Sequence, residues 1–381
     1  MDFSFSDEQR MLDDTVSRLV RDRYDFTQRA GYGREAKGYS AEVWALFAEL
    51  GLLCVPFSDE DGGIGGGGVE LMILHQAFGR ALIREPYLAT VVLGGGMVAR
   101  LGSPEQREAL LPALMAGETT LALAYAEPEG RYDPLWVDSR AVPDGHGYRL
   151  TGRKAVVLNG DSAARLVVTA RTGGAVSDPD GVSAFLVDPS APGVTVCGYA
   201  TIDGQRAADI LFDGVAVAAA DRLGAEGDAA DALDAVLAAG CAALTAEAVG
   251  AMEVACDQTL EYLKTRKQFG VPIGKFQVLQ HRMVDMRIAL EQARSMAILA
   301  AASLDRPAAE RNRTVAAAKS LIGTAGRLVA EQAIQMHGGM GMTDETPVSH
   351  YAKRLVMIDH WLGDSSHHLA RFMALPETAG H

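Results

Sequence analysis

The chain has 381 residues, 48% of them hydrophobic and 22% charged, with a formal net charge of -14. One hydrophobic core stops growing at about 250 to 300 residues, so two or three packed units are expected, and this composition excludes a disordered or fibrous protein. The acidic balance repels polyanions: nucleic acid and anionic membrane surfaces are poor partners, and any phosphate-bearing ligand needs a local cationic site. The opening MDFSFSDEQR carries acids where a signal peptide has a basic segment, and no apolar run approaches 18 residues, so a cytoplasmic protein is expected. Cys54, Cys197, Cys241 and Cys256 have neither C-x-x-C nor histidine spacing, which points to buried small hydrophobes and to no metal site or disulfide framework.

Residues 1–120 read as successive helices. Ser6-Asp7-Glu8-Gln9 and Ser103-Pro104-Glu105-Gln106 both fit the Ser-x-x-Gln capping box, and Pro104 falls at a first helical position. Between them Ser40 opens AEVWALFAEL and Gly51 closes it. Over residues 121–226 the texture changes to short apolar runs such as YRLTG, ARLVVTAR and VSAFLVD, broken by Gly, Pro and Asp, which predicts an antiparallel β unit. Residues 227–381 return to helical periodicity through DALDAVLAAGCAALTAEAVGAMEVAC and RNRTVAAAKSLIGTAGRLVAEQAIQMHGG, the pattern of a long-helix bundle.

Gly63-x-Gly65-x-x-Gly68 matches the dinucleotide fingerprint in letters only. Four polar residues, Ser58 to Asp61, separate the glycines from the apolar LLCVPF, and repeated βαβ alternation is missing. A turn between helices is the expected role.

Several separated segments, in order, resemble landmarks of the acyl-CoA dehydrogenase family. ELGLLCVPFSDEDGGIGGG is similar to an early helix-to-loop signature, and AEPEGRYDP stands where the family carries Thr-Glu-Pro followed by Gly-Ser-Asp. RKQFGVPIGKFQVLQHRMVDM and QMHGGMGMTDETPVSHYAKR are close to the C-terminal signatures. The resemblance implies an α+β fold with an N-terminal α-helical domain, a middle antiparallel β-barrel domain and a C-terminal helical bundle. It also implies FAD as cofactor, an acyl-CoA substrate, electron-transfer flavoprotein as electron acceptor and a tetrameric assembly. Arg266, Gln268, Phe269, Phe276 and Gln277 would reach a neighbouring subunit's FAD, where a fixed guanidinium suits pyrophosphate oxygens. Gln335 with Gly338, Gly339 and Gly341 resembles the family's glycine turn, where absent side chains let backbone amides approach an anionic cofactor.

Other positions depart from the family. Its usual catalytic glutamate is replaced by Leu362, and the alternative glutamate position, ten residues before Gly250, holds Gly240. Asp364 is the remaining carboxylate candidate for the base, two residues beyond the usual site. His360, His367 and His368 read as a surface run. The flavin-facing threonines become Leu158 and Ala126, and Arg131-Tyr132-Asp133 replaces the Gly-Ser-Asp motif. Residues serving the chain's own flavin are thus depleted, while those serving a neighbour's are kept. This is similar to the small subunits of heteromeric acyl-CoA dehydrogenases of the pimeloyl-CoA and steroid side-chain types, which pair with a catalytic second subunit. A self-sufficient homotetramer using Asp364, a silent acyl-CoA-binding scaffold and an oxygen-dependent flavin oxidase are the competing readings.

Overall fold

The computed structural model describes residues 4–376; the first three residues of the acidic opening segment lie outside them. The helices are α1 Asp7–Arg23, α2 Phe26–Tyr32, α3 Ala41–Glu49, α4 Gly68–Ala81, α5 Gly96–Leu101, α6 Pro104–Met115, α7 Ala230–Thr265, α8 Gln277–Ala302, α9 Ala308–His337, α10 Pro347–His360 and α11 Ser365–Ala374. The strands are β1 Leu121–Ala124, β2 Arg140–Asp144, β3 Gly147–Leu158, β4 Arg165–Arg171, β5 Val182–Val187, β6 Val194–Ala200, β7 Arg206–Ala218, β8 Arg222–Leu223, β9 Lys267–Gln268 and β10 Val271–Pro272. They form two compact units, each gathered from separated stretches: residues 4–31, 67–83 and 241–376 in the first, 32–66 and 84–240 in the second.

Local chemistry explains the helix starts. Ser6 accepts from the Gln9 amide at 3.1 Å while Gln9 accepts from the Ser6 amide at 3.0 Å, and Ser103 with Gln106 repeats the box ahead of α6. Ser40 caps α3, and Gly51, in the left-handed region at φ 71, follows its end.

In the first unit α9 packs against α8, α10 and α11. Its buried residues Val315, Ile322, Val329 and Met336 recur every seven positions, and the small Ala318, Gly326 and Ala333 between them let neighbouring helices approach. The contact between α4 and α7 is closer still. A β-carbon at Gly79 would overlap the Glu247 carbonyl oxygen, and one at Gly250 would overlap that of Gln76, so this crossing admits only glycine. The buried Glu247 carboxylate accepts from Arg354 Nε on α10 at 2.6 Å and lies 3.9 Å from the His75 ring on α4, linking three helices. Burial alone would raise its pKa, but the Arg354 charge outweighs that and holds it at about 2.

The second unit carries an eight-stranded sheet in the order β6-β7-β3-β2-β4-β5-β8, with β1 added to β4. The pairing is mainly antiparallel as expected, but β1 and β2 both meet β4 in parallel. Leu150, Phe185, Ile210 and Phe212 fill its core.

Some expectations need correction. The glycine run is the expected turn between helices, with LLCVPF in a 3-10 turn before it, but Gly63 also serves close packing, since a β-carbon there would overlap the Phe57 carbonyl. Cys197 is exposed on β6, and Cys54 is half-buried, so only Cys241 and Cys256 are buried small hydrophobes. His368 is buried while His360 is exposed. The helix α7 contains an 18-residue window of mean hydropathy 1.7, apolar enough to cross a membrane, but 94% of that window is buried inside the protein as core.

Candidate cofactor and active-site residues

At the end of α7 the Arg266 amide donates to the Tyr262 carbonyl, and the chain enters a two-stranded hairpin in which Gln268 pairs with Val271. The two residues between are Phe269 at φ 54 and Gly270 at φ 80. Two successive positive φ values define the type I′ turn that matches strand twist. The turn projects Phe269, which is 91% exposed, with its ring centroid 6.1 Å from that of Phe276. Arg266, Lys267, Gln268 and Gln277 are exposed alongside. Phe276 is the N-cap residue of α8 and supplies no side-chain acceptor, so the helix begins with amides that no capping side chain satisfies. Such an end attracts anions.

The glycine turn follows α9. His337 donates from Nδ1 to the Ala333 carbonyl at 2.8 Å and stacks on Tyr262 with ring centroids 4.4 Å apart, which brings the end of α9 to the base of the hairpin. Burial lowers the His337 pKa, so the ring stays neutral near pH 7. Gly338, at φ 61, and Gly339 are exposed with open space where a side chain would be, whereas Gly341 is buried against Ile334 and His337. Two of the three glycines therefore leave room for a ligand, and the third serves packing. Gln335 is exposed on the same helix end.

The turn between α10 and α11 carries the position of the missing glutamate. Leu362 adopts φ 58, uncommon for a side-chain-bearing residue, and is followed by Gly363 at φ 103. Lys319 Nζ donates to the carbonyls of Asp359 and Gly363 at 2.9 and 2.7 Å, and His368 Nε2 lies 2.9 Å from the Leu362 carbonyl oxygen. Asp359 accepts from the Ser365 amide and from Arg327. Asp364 is the N-cap of α11: its Oδ1 accepts from the His367 amide at 2.7 Å, so the carboxylate proposed as base has a structural task. Gly240 is buried in α7.

In the second unit, Lys154 is fully buried and donates to Glu127 Oε1 at 2.7 Å, to the Tyr125 carbonyl and to Thr169. Burial pulls the Lys154 pKa down to about 8 against the opposing pull of Glu127. The Ala155 amide donates to the Ala126 carbonyl, which fixes the AEPEGRYDP segment on β3. A bulge follows at which Val156, at φ 52, is half exposed and held through its amide by Asp209. Left-handed backbone at a β-branched residue is a local strain, the kind found at ligand clamps. Leu158, which replaces the flavin-facing threonine, is turned into the interior.

Lys319 and Arg171 escaped the sequence reading, and His368 reads there as surface. Lys319 carried a signal: it lies four residues after Val315 and three before Ile322, on the apolar stripe of α9, where a solvated lysine does not belong. Arg171 gave none. Among the described residues no group of three or more His, Cys, Asp or Glu is placed to hold a metal.

Comparison with known proteins is consistent throughout. The acyl-CoA dehydrogenase N-terminal, middle and C-terminal domain models match residues 6–118, 122–215 and 230–373. Acyl-CoA dehydrogenase FadE27 of Mycobacterium tuberculosis is 30% identical over 97% of each chain. Among solved structures, a chain of the ChsE4-ChsE5 complex from Mycobacterium tuberculosis aligns over 100% of both chains with a TM-score of 0.89 and 30% identity. An FAD complex of PigA aligns over 98% of both with a TM-score of 0.89 and 27% identity. The fold and site define a flavoprotein oxidoreductase. This chain belongs to the acyl-CoA dehydrogenase family, whose cofactor is FAD and whose substrates include acyl-CoA thioesters.

The residues present fit that cofactor. The exposed Arg266, the uncapped start of α8 and the open Gly338 and Gly339 offer a cation, free amides and room for a pyrophosphate, which is the local cationic site an acidic protein needs.

Proposed function

We propose that this chain is the base-lacking subunit of a heteromeric acyl-CoA dehydrogenase, and that it completes the FAD site of a catalytic partner of the same fold. One observation carries the reading: the turn where the family holds its glutamate is fully braced around Leu362, yet the carboxylates beside it are already engaged, Asp364 as a helix cap and Asp359 with Arg327 and the Ser365 amide. The hairpin and glycine turn that would face a partner's cofactor keep their family residues and stand exposed. The likeness to a chain of the ChsE4-ChsE5 complex supports a two-component assembly.

FAD would supply the acceptor for the hydride leaving the acyl β-carbon. The partner supplies the base that removes the α-proton. This chain's Arg266 and α8 amides would hold the pyrophosphate, and Phe269 and Phe276 would pack beside the cofactor. The assembly is a cytoplasmic tetramer that passes electrons to an electron-transfer flavoprotein, acting on acyl-CoA in a β-oxidation type of degradation.

The test is the FAD-to-protein ratio of the chain purified alone and after co-expression with the candidate partner. Little flavin alone, rising to about one per heterodimer with acyl-CoA turnover, is expected. A full complement of FAD and ordinary turnover by the isolated chain would overturn the reading.

A further inference from the structure

We infer that Arg171 is a positioning residue that fixes the 135–139 segment as one wall of a cleft in the second unit. Arg171 ends β4 and is 1% exposed. Among the described residues its guanidinium hydrogen-bonds no carboxylate. Instead it donates to five main-chain carbonyls: Val137 and Leu135 on one side, Val176, Asp178 and Asp180 on the other, at 2.7 to 3.2 Å. Its own amide donates to the Ser139 carbonyl, and the Val137 amide donates to Val176.

Residues 135–139 belong to no strand, so these bonds replace a ladder. From the other side the Glu127 carboxylate accepts from the amides of Asp138 and Ser139 at 2.8 and 3.1 Å, with Lys154 buried behind it. The segment is thus held between a buried cation that reads its carbonyls and a buried anion that reads its amides. Only a planar fork with several fixed donors can serve carbonyls on two loops at once; an ammonium on a flexible stem cannot.

What the strut holds in place is a wall. Trp136, Asp138 and Ser139 line a cleft of ≈ 620 Å³ together with Glu127 and, from the facing strands, Arg153 and Leu211. The segment also closes the stretch begun by Ala126, so a shift at 135–139 moves the whole 127–139 loop. The catalytic consequence rests on the proposed function, with this cleft taking part in the heteromer's acyl-CoA binding: loosening the loop then weakens substrate binding more than it slows chemistry.

The experiment uses Arg171→Lys and Arg171→Gln in the co-expressed complex. Hydrogen exchange should accelerate at least tenfold for amides of residues 135–139 and 175–180 while β3 is unchanged, and KM for acyl-CoA should rise severalfold with kcat within twofold. Unchanged exchange at 135–139, even acceleration throughout the second unit, an unchanged KM, or loss of soluble protein in both variants would each overturn the inference. A wild-type complex without flavin would instead sink the proposed function, and the exchange comparison would still decide whether Arg171 positions the loop.

Discussion

His368 Nε2 lies 2.9 Å from the carbonyl oxygen of Leu362. A carbonyl only accepts, so Nε2 carries the proton and the neutral ring donates to the turn that replaces the catalytic glutamate. Burial, and then the nearby Lys319 charge, push the His368 pKa down to about 3. The unfolded chain therefore binds a proton near pH 6.5 that the folded one refuses, and stability falls as pH drops from about 6.5 toward 3. His368→Gln should flatten the stability-versus-pH slope between about pH 6.5 and 4.5 in denaturant titrations. An unchanged slope would mean that other groups carry it.

Glu247 acts in a lower window. With its pKa held at about 2, its contribution is full above the unfolded value near 4.5 and is lost as pH falls through 2. Glu247→Gln at neutral pH removes the charge that Arg354 meets at 2.6 Å, and breaking a buried pair costs up to about 3 to 5 kcal/mol. Thermal unfolding should show it as a Tm lowered by several degrees; a Tm within a degree of wild type would refute the pairing.

Asp364 separates two readings. As an N-cap it can be replaced by asparagine with little change, whereas Asp364→Ala should lose about 0.5 to 2 kcal/mol of stability. Turnover of the co-expressed complex should stay within twofold in Asp364→Asn. Abolished turnover with retained FAD would instead make Asp364 the base and favour a self-sufficient enzyme.

Phe269 should matter to assembly and not to folding. Its ring is almost fully exposed, so Phe269→Ala should change the stability of the isolated chain by less than about 0.5 kcal/mol. The same variant should lower flavin retention in the complex. Gly270→Ala meets no steric obstacle but places a β-carbon at φ 80, at a backbone penalty of about 1 to 2 kcal/mol, and should misdirect the same finger. Wild-type flavin retention in both variants would remove the hairpin from the cofactor site.

Much of this is legible in the amino-acid sequence alone. Capping boxes at Ser6 and Ser103, the change from helical to strand texture near residue 121 and the return to long helices near 227 are local signals. They depend on side chains within a few residues of one another, and the resemblance motifs are likewise contiguous, so the hairpin at 266–272 and the glycine turn at 338–341 could be located by number. The absence of a glutamate at Leu362 and Gly240 was also plain.

Tertiary structure decided the rest, because it depends on which distant groups share a buried space. Asp364 reads as a candidate base, and only the fold shows that one of its oxygens accepts from the His367 amide as a helix cap. A histidine run at 360–368 reads as surface until packing buries His368 under the Leu362 carbonyl. Glu247 gains its meaning only when α4, α7 and α10 converge, and Arg171 only when two loops turn their carbonyls toward it. The sequence determined the elements, the family and the missing carboxylate. Only the folded chain determined how buried charges, cut off from water, are spent on bracing loops and helices, since a charge in low dielectric must find its partners wherever the fold brings them.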